Sequence, residues 1–529
     1  MSMPANKLLH LNEIRPFGGG MKVGFFFGAG AEIGYGLPSG GKFAIDLFRQ
    51  DVSEHKKKLR EQLSKIDPRT NYATSWLPEN YATQRIHAFG KNEFTALIES
   101  SIEYRKSEII RRLNAFDEEV EYALSQLGVE KHILVEKFNE QMDTAFGEHL
   151  YSTAIRMNPI LASEVRLFGS ESYSAILSVI SSEQTSADLQ RYAGAFLQLL
   201  VGAHGQHLVQ RLNQELFEAA PDDIPIFDDV TGMFKLEFSR AGLTALELLL
   251  EKHRNYNLEN GDVCEILCAV SQQVLENIFT TVLDYQSLID SHFRYLFSPR
   301  TEWAKFSKMV IFLRATREYI VKQLNEVGDL PDNGYYHDLE KCKQLGLEVS
   351  AIGTSNYNSL IEKISEDLDF EIPAVQHLNG GVTDYYNPYK NSVISEEDPD
   401  KVPEDQIHVP FVLTQSGLKP LTSVDMSRRY VELYDEYVEC DRLVVVGYGF
   451  NIDDSHINGL FRKLIEEEGK PMVWVCQDRD GPAESQKRAL VKRLRIAPEH
   501  RDLITVIPVE PETRSIGDEG WLEIVAQAD

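Results

Sequence analysis

Five short stretches of this chain carry residue types that could do chemistry on a small polar ligand. They are Gly28-Ala29-Gly30, Thr354-Ser355-Asn356-Tyr357-Asn358, His377-Leu378-Asn379-Gly380-Gly381, Gly447-Tyr448-Gly449-Phe450-Asn451 and Cys476-Gln477-Asp478. Glycines let a backbone turn sharply and leave no side chain between main chain and ligand. Gly28-Ala29-Gly30 follows the apolar run Val23 to Phe27 directly. If helical residues come next, free N–H groups and about half a positive charge face whatever sits on the turn, which suits phosphate or pyrophosphate. That is the entry turn of a nucleotide-binding α/β domain. On its own, the same turn serves equally well as a tight strand-to-helix connection with no ligand. The later glycines Gly34, Gly36, Gly40 and Gly41 do not keep the GxGxxG spacing, and Gly36-Leu37-Pro38 lies among them. The spacing predicts a glycine-rich flap over the ligand rather than an immediate long helix.

Each stretch sits at the end of an apolar run short enough for a buried strand. The runs are Val23–Phe27, Leu347–Ile352, Ile372–Leu378, Leu443–Val446, Met472–Cys476 and Leu503–Val509. Helical patterns separate most of them, for example Leu360–Ile364 and Met426–Tyr437. Strands alternating with helices imply a Rossmann-like parallel sheet of about six strands with helices on both faces. Ligands of such sheets bind at the carboxyl ends of the strands, where strand order reverses. Between the first and second strands the pattern is helical almost throughout. Leu189, Tyr192, Ala193, Phe196, Leu197 and Leu200 recur at three- and four-residue steps behind a candidate N-cap, Ser186. Such apolar stripes are read as helix core. The predicted division is residues 1–90 and 346–529 for the α/β domain, with an inserted all-α helical domain at 91–345. Residues 391–405, acidic and carrying Pro399 and Pro403, are predicted as a solvated surface loop.

Composition narrows the function classes. Acidic residues number 82 and basic ones 54, a net charge of −28. That balance argues against broad binding to a nucleic-acid backbone, which needs clustered Lys and Arg. No secretory leader and no membrane span are expected. The five cysteines form no CxxC pair, and Cys264 and Cys268, four apart on a helical pattern, are predicted to be core residues. A reduced, cytoplasmic protein is the expectation.

Taken together, Gly28-Ala29-Gly30, Gly36-Leu37-Pro38, Thr354-Ser355-Asn356-Tyr357, His377-Leu378-Asn379-Gly380 and Gly447-Tyr448-Gly449-Phe450-Asn451 with His456 resemble the sirtuin family. More narrowly they are similar to its bacterial sirtuin-like branch of antiphage NAD-cleaving enzymes. The resemblance covers roughly 20–50 and 345–510 and leaves the helical insertion out. With no four-cysteine zinc ribbon, the protein-deacylating sirtuins are the poorer match. The resemblance implies NAD as substrate, no metal, and hydrolysis of the nicotinamide–ribose bond to give nicotinamide and ADP-ribose. It implies Asn356 as the group that orients the ribose or the attacking water, with His377 as the second catalytic candidate. It places Gly28, Ala29, Gly30, Glu32, Pro38, Thr354, Asn379, Gly447, Tyr448 and Asn451 against the dinucleotide; Asp478, just past a strand end, is placed by that position to take ribose hydroxyls, though surface turns also favour Asp. A homo-oligomer formed through the insertion and an operon partner complete the expectation.

Two residues depart from the family pattern. Asn379 stands where the family has its catalytic His, and Glu32 stands where it has Ser. His377, two residues earlier, would share a strand face with that position about 6–7 Å away. Losing a base need not abolish the reaction. Nicotinamide leaves as a neutral pyridine, and the barrier lies chiefly in the positive charge on the ribose, which electrostatic placement handles best. The alternative is a non-catalytic NAD or ADP-ribose sensor subunit of a defence complex. A protein deacylase is a third possibility. His456 and Asn458 open a helix in which Asp454 or Ser455 could simply be the cap.

Overall fold

Valine and phenylalanine in unbroken succession make a strand that is stable only when both its faces are covered. That is the situation of β1, Met21–Phe27, whose Val23, Phe25, Phe26 and Phe27 are fully buried. The computed structural model describes residues 20–37, 40–148, 166–182, 186–204, 242–251, 254–258, 261–283, 286–326, 331–412, 423–451, 454–478 and 481–528. The remaining strands of the same sheet are β2 (Leu347–Thr354), β3 (Val375–His377), β4 (Arg442–Val446), β5 (Met472–Gln477) and β6 (Ile504–Val509). All pairings are parallel, and the order across the sheet is β3-β2-β1-β4-β5-β6. Strand order therefore reverses between β1 and β4, the place where such sheets open a ligand crevice.

The period-two alternation of each strand sorts its side chains onto two cores. Val23, Phe25, Phe27, Ile352, Val444, Val446, Val473 and Val475 pack with Leu360, Ile361, Ile364, Trp521 and Val525 on one face. Phe26, Ala351, Leu443, Val445, Met472 and Trp474 pack with Leu433, Tyr437, Phe461, Leu464 and Leu490 on the other. The strands appear where the apolar runs predicted them, with ends displaced by a few residues.

The contacts divide the chain into two compact units: residues 1–37, 324–381 and 419–529, and residues 38–323 and 382–418. The sequence expectation put the boundaries at 90 and 345, so the helices Gly40–Arg49 and Ser53–Lys65 belong with the second unit. That unit is mainly helical. Its longest helices are Lys91–Asn114, Trp303–Glu326 and the almost wholly buried Val263–Val282, which is capped by the Asp262 carboxylate accepting from Glu265 N at 2.8 Å. The predicted stripe Leu189 to Leu200 is buried, and the Ser186 hydroxyl caps its helix by accepting from Leu189 N at 3.1 Å. Cys264 and Cys268 are buried, free thiols. Beyond the stretch 91–345 predicted as all-α, the unit also takes in a small sheet, in which Asp384–Asn387 pairs antiparallel with both Ser392–Ser395 and Val409–Pro410. The predicted loop 391–405 thus carries a strand and a short 3-10 turn at Pro399–Lys401. Its half-exposed Ser-Val-Ile-Ser alternation satisfies an edge pairing that the surrounding acidic residues masked. Among the described residues no helix is long and apolar enough to cross a membrane.

Candidate active site at the strand-order reversal

Register alone brings four of the five stretches to one line. Phe27 lies opposite both Thr354 and Val446, and Thr354 lies opposite His377. The residues that follow, Gly28, Ser355, Leu378 and Gly447, therefore leave the sheet side by side.

At the crossing itself two backbones touch. Gly28 N donates to Val446 O at 2.9 Å and Gly30 N to Gly447 O at 2.8 Å. A Cβ on Gly28 would stand 2.7 Å from Gly447 O and from Tyr448 Cα, and one on Gly30 would stand 2.7 Å from Gly447 O. Glycine is required here because the tip of β4 fills the space, a different cause from the open ligand face expected of the motif. No long helix follows. Ala29–Ala31 and Ile33–Tyr35 form two 3-10 turns, with Ala31 N on Gly28 O and Glu32 N on Ala29 O. The amides of residues 28, 30, 31 and 32 are thereby spent within the protein, and Ala29, which is exposed, is the member of the turn left facing outward. Of the predicted flap, Pro38 lies outside the described residues, and helix has begun by Gly40.

Asn356 sits under this turn. Its backbone N–H donates to Thr354 Oγ1 at 3.0 Å, and that hydroxyl donates to Phe27 O at 3.0 Å, so Thr354 is spent on holding the β1 and β2 tips together. Asn356 is buried, and its Nδ2 donates to Gly28 O and to the Tyr336 hydroxyl, each at 3.2 Å. A primary amide has two N–H donors. With both committed, Oδ1 is turned away from Gly28 and Tyr336.

Glu32 anchors the other side of the same network. It is only 6% exposed. Its Oε1 accepts from the Tyr336 hydroxyl at 2.9 Å and its Oε2 from Asn358 Nδ2 at 2.8 Å. Asn358 is itself oriented, because its Oδ1 accepts from Leu360 N at 3.0 Å at the start of the next helix. The partners of Glu32 are neutral, and burial raises its carboxyl from 4.5 to about 7 against the pull of those hydrogen bonds. Burial also holds the Tyr336 phenol well above its ordinary range, with Glu32 adding to the effect, so Tyr336 remains a hydroxyl. Tyr336 is placed by its rings and its backbone. It stacks on Tyr35 at 5.3 Å, meets Phe27 edge-on at 5.0 Å, and its N–H donates to Tyr35 Oη at 2.9 Å.

At the third strand tip, His377 is pinned from both sides. Nδ1 faces Asn356 O at 3.0 Å and Nε2 faces Glu362 Oε1 at 2.9 Å. A carbonyl oxygen and a carboxylate are both acceptors, so the ring makes both contacts only as a donor at each nitrogen. In that arrangement it has no lone pair with which to take a proton. Asn379, at the position where the resemblance puts a base, is 2% exposed; its Nδ2 donates to Ser355 O at 3.4 Å and its Oδ1 is buried without a hydrogen-bond partner. A buried orphan oxygen of this kind is rare enough to need a reason.

Tyr448 is buried beside Gly28, where its ring meets Phe26 and Phe450 edge-on. Asn451 is exposed, and its carbonyl caps the next helix by accepting from Asp454 N at 3.2 Å and Asn458 Nδ2 at 2.7 Å. His456 meets Tyr430 edge-on at 5.6 Å. Asp478 is exposed past β5, and no described contact joins it to the Asn356 group. The structure thus unites Gly28, Gly30, Glu32, Thr354, Asn356, His377, Asn379, Gly447 and Tyr448, and leaves Asn451 and Asp478 at its edge.

Tyr336 and Glu362 were not singled out from the sequence, and Asn358 was named only as a member of its cluster. Tyr336 falls inside the stretch read as helical insertion, and its signal was the Gly334 just ahead of it, where a Cβ would stand 2.2 Å from Tyr35 Oη. Among the described residues no group of His, Cys, Asp and Glu is placed to hold a metal ion. Neither a family model nor a curated protein matches the chain.

Proposed function

We propose that the strand tips around Asn356 form the site of an NAD+ hydrolase that releases nicotinamide and ADP-ribose, and that the protein is a defence effector that depletes NAD on activation. The observation that carries this reading is the hydrogen bond from Asn356 to Gly28, residues 328 apart in sequence, beside the strand-order reversal. It joins two of the stretches on which the sirtuin-like resemblance rests, which supports the reading. In the proposed reaction the glycosidic C–N bond breaks with its electron pair going to nicotinamide. The oxygen of water then bonds to the ribose carbon and gives up a proton to solvent. Asn356 Oδ1 is the group suited to orient that water or a ribose hydroxyl, and the positive charge on the ribose is met by oriented dipoles. NAD, a homo-oligomer built through the helical unit and a partner protein belong to the same proposal.

The test is nicotinamide and ADP-ribose release from NAD by the full chain, with and without candidate activators. Release by the wild type that Asn356→Ala abolishes is the expected result. Release unchanged in that variant removes the site.

A non-catalytic sensor of NAD or ADP-ribose is the second reading. It is favoured by the two-sided pinning of His377 and by Asn379 at the place of the base. Binding without product under every activating condition would establish it.

A further inference from the structure

We propose that Glu32 is the positioning residue of this site: acting through the Tyr336 hydroxyl, it sets which end of the Asn356 amide faces the ligand. The proposal deepens the hydrolase reading and rests on it for the identity of the ligand.

The argument follows one proton. Tyr336 has a single O–H. When Glu32 is a carboxylate, it can only accept, so that proton points to Glu32 Oε1, 2.9 Å away. The Tyr336 oxygen is then left as an acceptor, and the group 3.2 Å from it must be the donor end of Asn356, Nδ2. Gly28 O, also at 3.2 Å, demands a donor from the same amide. Both demands fix one orientation, with Oδ1 outward. When Glu32 is protonated, its own O–H can donate to the Tyr336 oxygen. The phenol proton is then free to turn toward Asn356, where it prefers the carbonyl end of the amide. The demand from Tyr336 now opposes the one from Gly28, and the orientation is no longer enforced.

The surroundings leave Glu32 little other choice. Asn358 cannot relieve it by turning over, because its own Oδ1 is held by Leu360 N. The groups that face Glu32 are Tyr336, Asn356, Asn358 and, through space, His377. They come from the helix at Tyr335–Asp338, the loop after β2, and β3; none is an arginine or lysine, and His377, the one among them that can carry positive charge, acts through space and pulls the carboxyl down less than burial raises it. The carboxyl therefore remains able to change charge near neutral pH, whereas an ion-paired carboxyl would not. Neither oxygen points at solvent, so the charge acts on the ligand through Asn356.

Two variants and two readouts test this. In Glu32→Gln and Tyr336→Phe, kcat is expected to fall about 10²-fold, the cost of a misplaced catalytic group, with KM held within about twofold. The wild-type kcat is expected to decline on the acid side through about pH 7, and that limb is expected to be absent in Glu32→Gln. An unchanged kcat, or a limb that persists in Glu32→Gln, overturns the proposal. The second readout needs no turnover. In protein labelled with 15N at asparagine, the side-chain amide signals missing from Asn356→Ala should shift with pH around 7 in the wild type and not in Glu32→Gln. Signals that fail to move overturn the positioning role even in an active enzyme. Signals that move in a protein releasing no nicotinamide uphold that role while overturning the hydrolase reading.

Discussion

Two buried glutamates, one in each unit, have been given opposite surroundings. Glu119 of the helical unit is 8% exposed and receives the guanidinium of Arg112, whose Nε donates to Glu119 Oε1 at 2.7 Å and whose Nη1 reaches Asn277 O. Glu32 of the α/β unit is as deeply buried but accepts from the Tyr336 phenol and the Asn358 amide, with no arginine or lysine beside it. A carboxylate that receives a buried guanidinium this way serves packing. One among neutral donors is poised between two protonation states. Perturbed carboxyls of the second kind collect at functional sites, and Glu32 lies against the strand tips where the chemistry-bearing residues meet.

The largest expected effect tests the structural member. Arg112→Met leaves Glu119 buried and unpaired and should cost about 3–5 kcal/mol in urea unfolding, whereas the double change Arg112→Met with Glu119→Leu should recover most of it. A single variant that costs almost nothing would break the comparison.

The functional member should show itself through pH. Folded, Glu32 gains its proton near 7, and unfolded near 4.5. Between those values the folded state holds a proton that the unfolded state has lost, so stability declines as pH rises. The penalty is nil below about 4.5 and complete above about 7, where it amounts to roughly 3 kcal/mol. Glu32→Gln removes it, so the stability of the wild type relative to this variant should fall by that amount between about pH 5 and about pH 8. Parallel curves for the two proteins would mean that burial does not raise the Glu32 carboxyl.

Gly30→Ala probes the backbone contact that holds the site together. Its Cβ would meet Gly447 O at 2.7 Å and Gly447 Cα at 2.9 Å, backbone atoms that can only move with the tip of β4. A loss of about 1–3 kcal/mol is expected, with weaker binding of NAD. Gly34→Ala, with nothing within 4 Å, is the control and should stay within about 0.5 kcal/mol.

Among the site residues, the smallest effect on stability is expected at Asn379. Removing its orphan oxygen in Asn379→Leu should change unfolding by less than about 1 kcal/mol while weakening ADP-ribose binding roughly tenfold, as measured by calorimetry. Affinity left intact would mean that this oxygen faces no ligand.

The fold was largely legible in the chain. Apolar runs bounded by glycine and separated by helical patterns are strands of a parallel sheet, because such runs are too short for helices and too apolar for a half-exposed sheet. The clusters at 28–30, 354–358, 377–381 and 447–451 were legible as strand tips for the same reason. The strand at Ser392–Ser395 was not, since an edge strand of four residues among acidic neighbours has the composition of a loop. The contact of the Gly28 and Gly30 backbone with Gly447 was not legible, because a turn motif does not say which other strand tip packs beside it.

What the sequence determined by itself is the sheet, its two covered faces and the set of polar residues at its carboxyl edge, since local apolar periodicity settles these. What only the tertiary structure decided is which of those polar atoms are already spoken for. Tyr336 and Glu32 stand 304 positions apart, yet one hydroxyl proton between them governs the face that Asn356 presents. Hydrogen-bond direction depends on which donors and acceptors packing brings within 3 Å or so of one another, and no spacing along the chain records that.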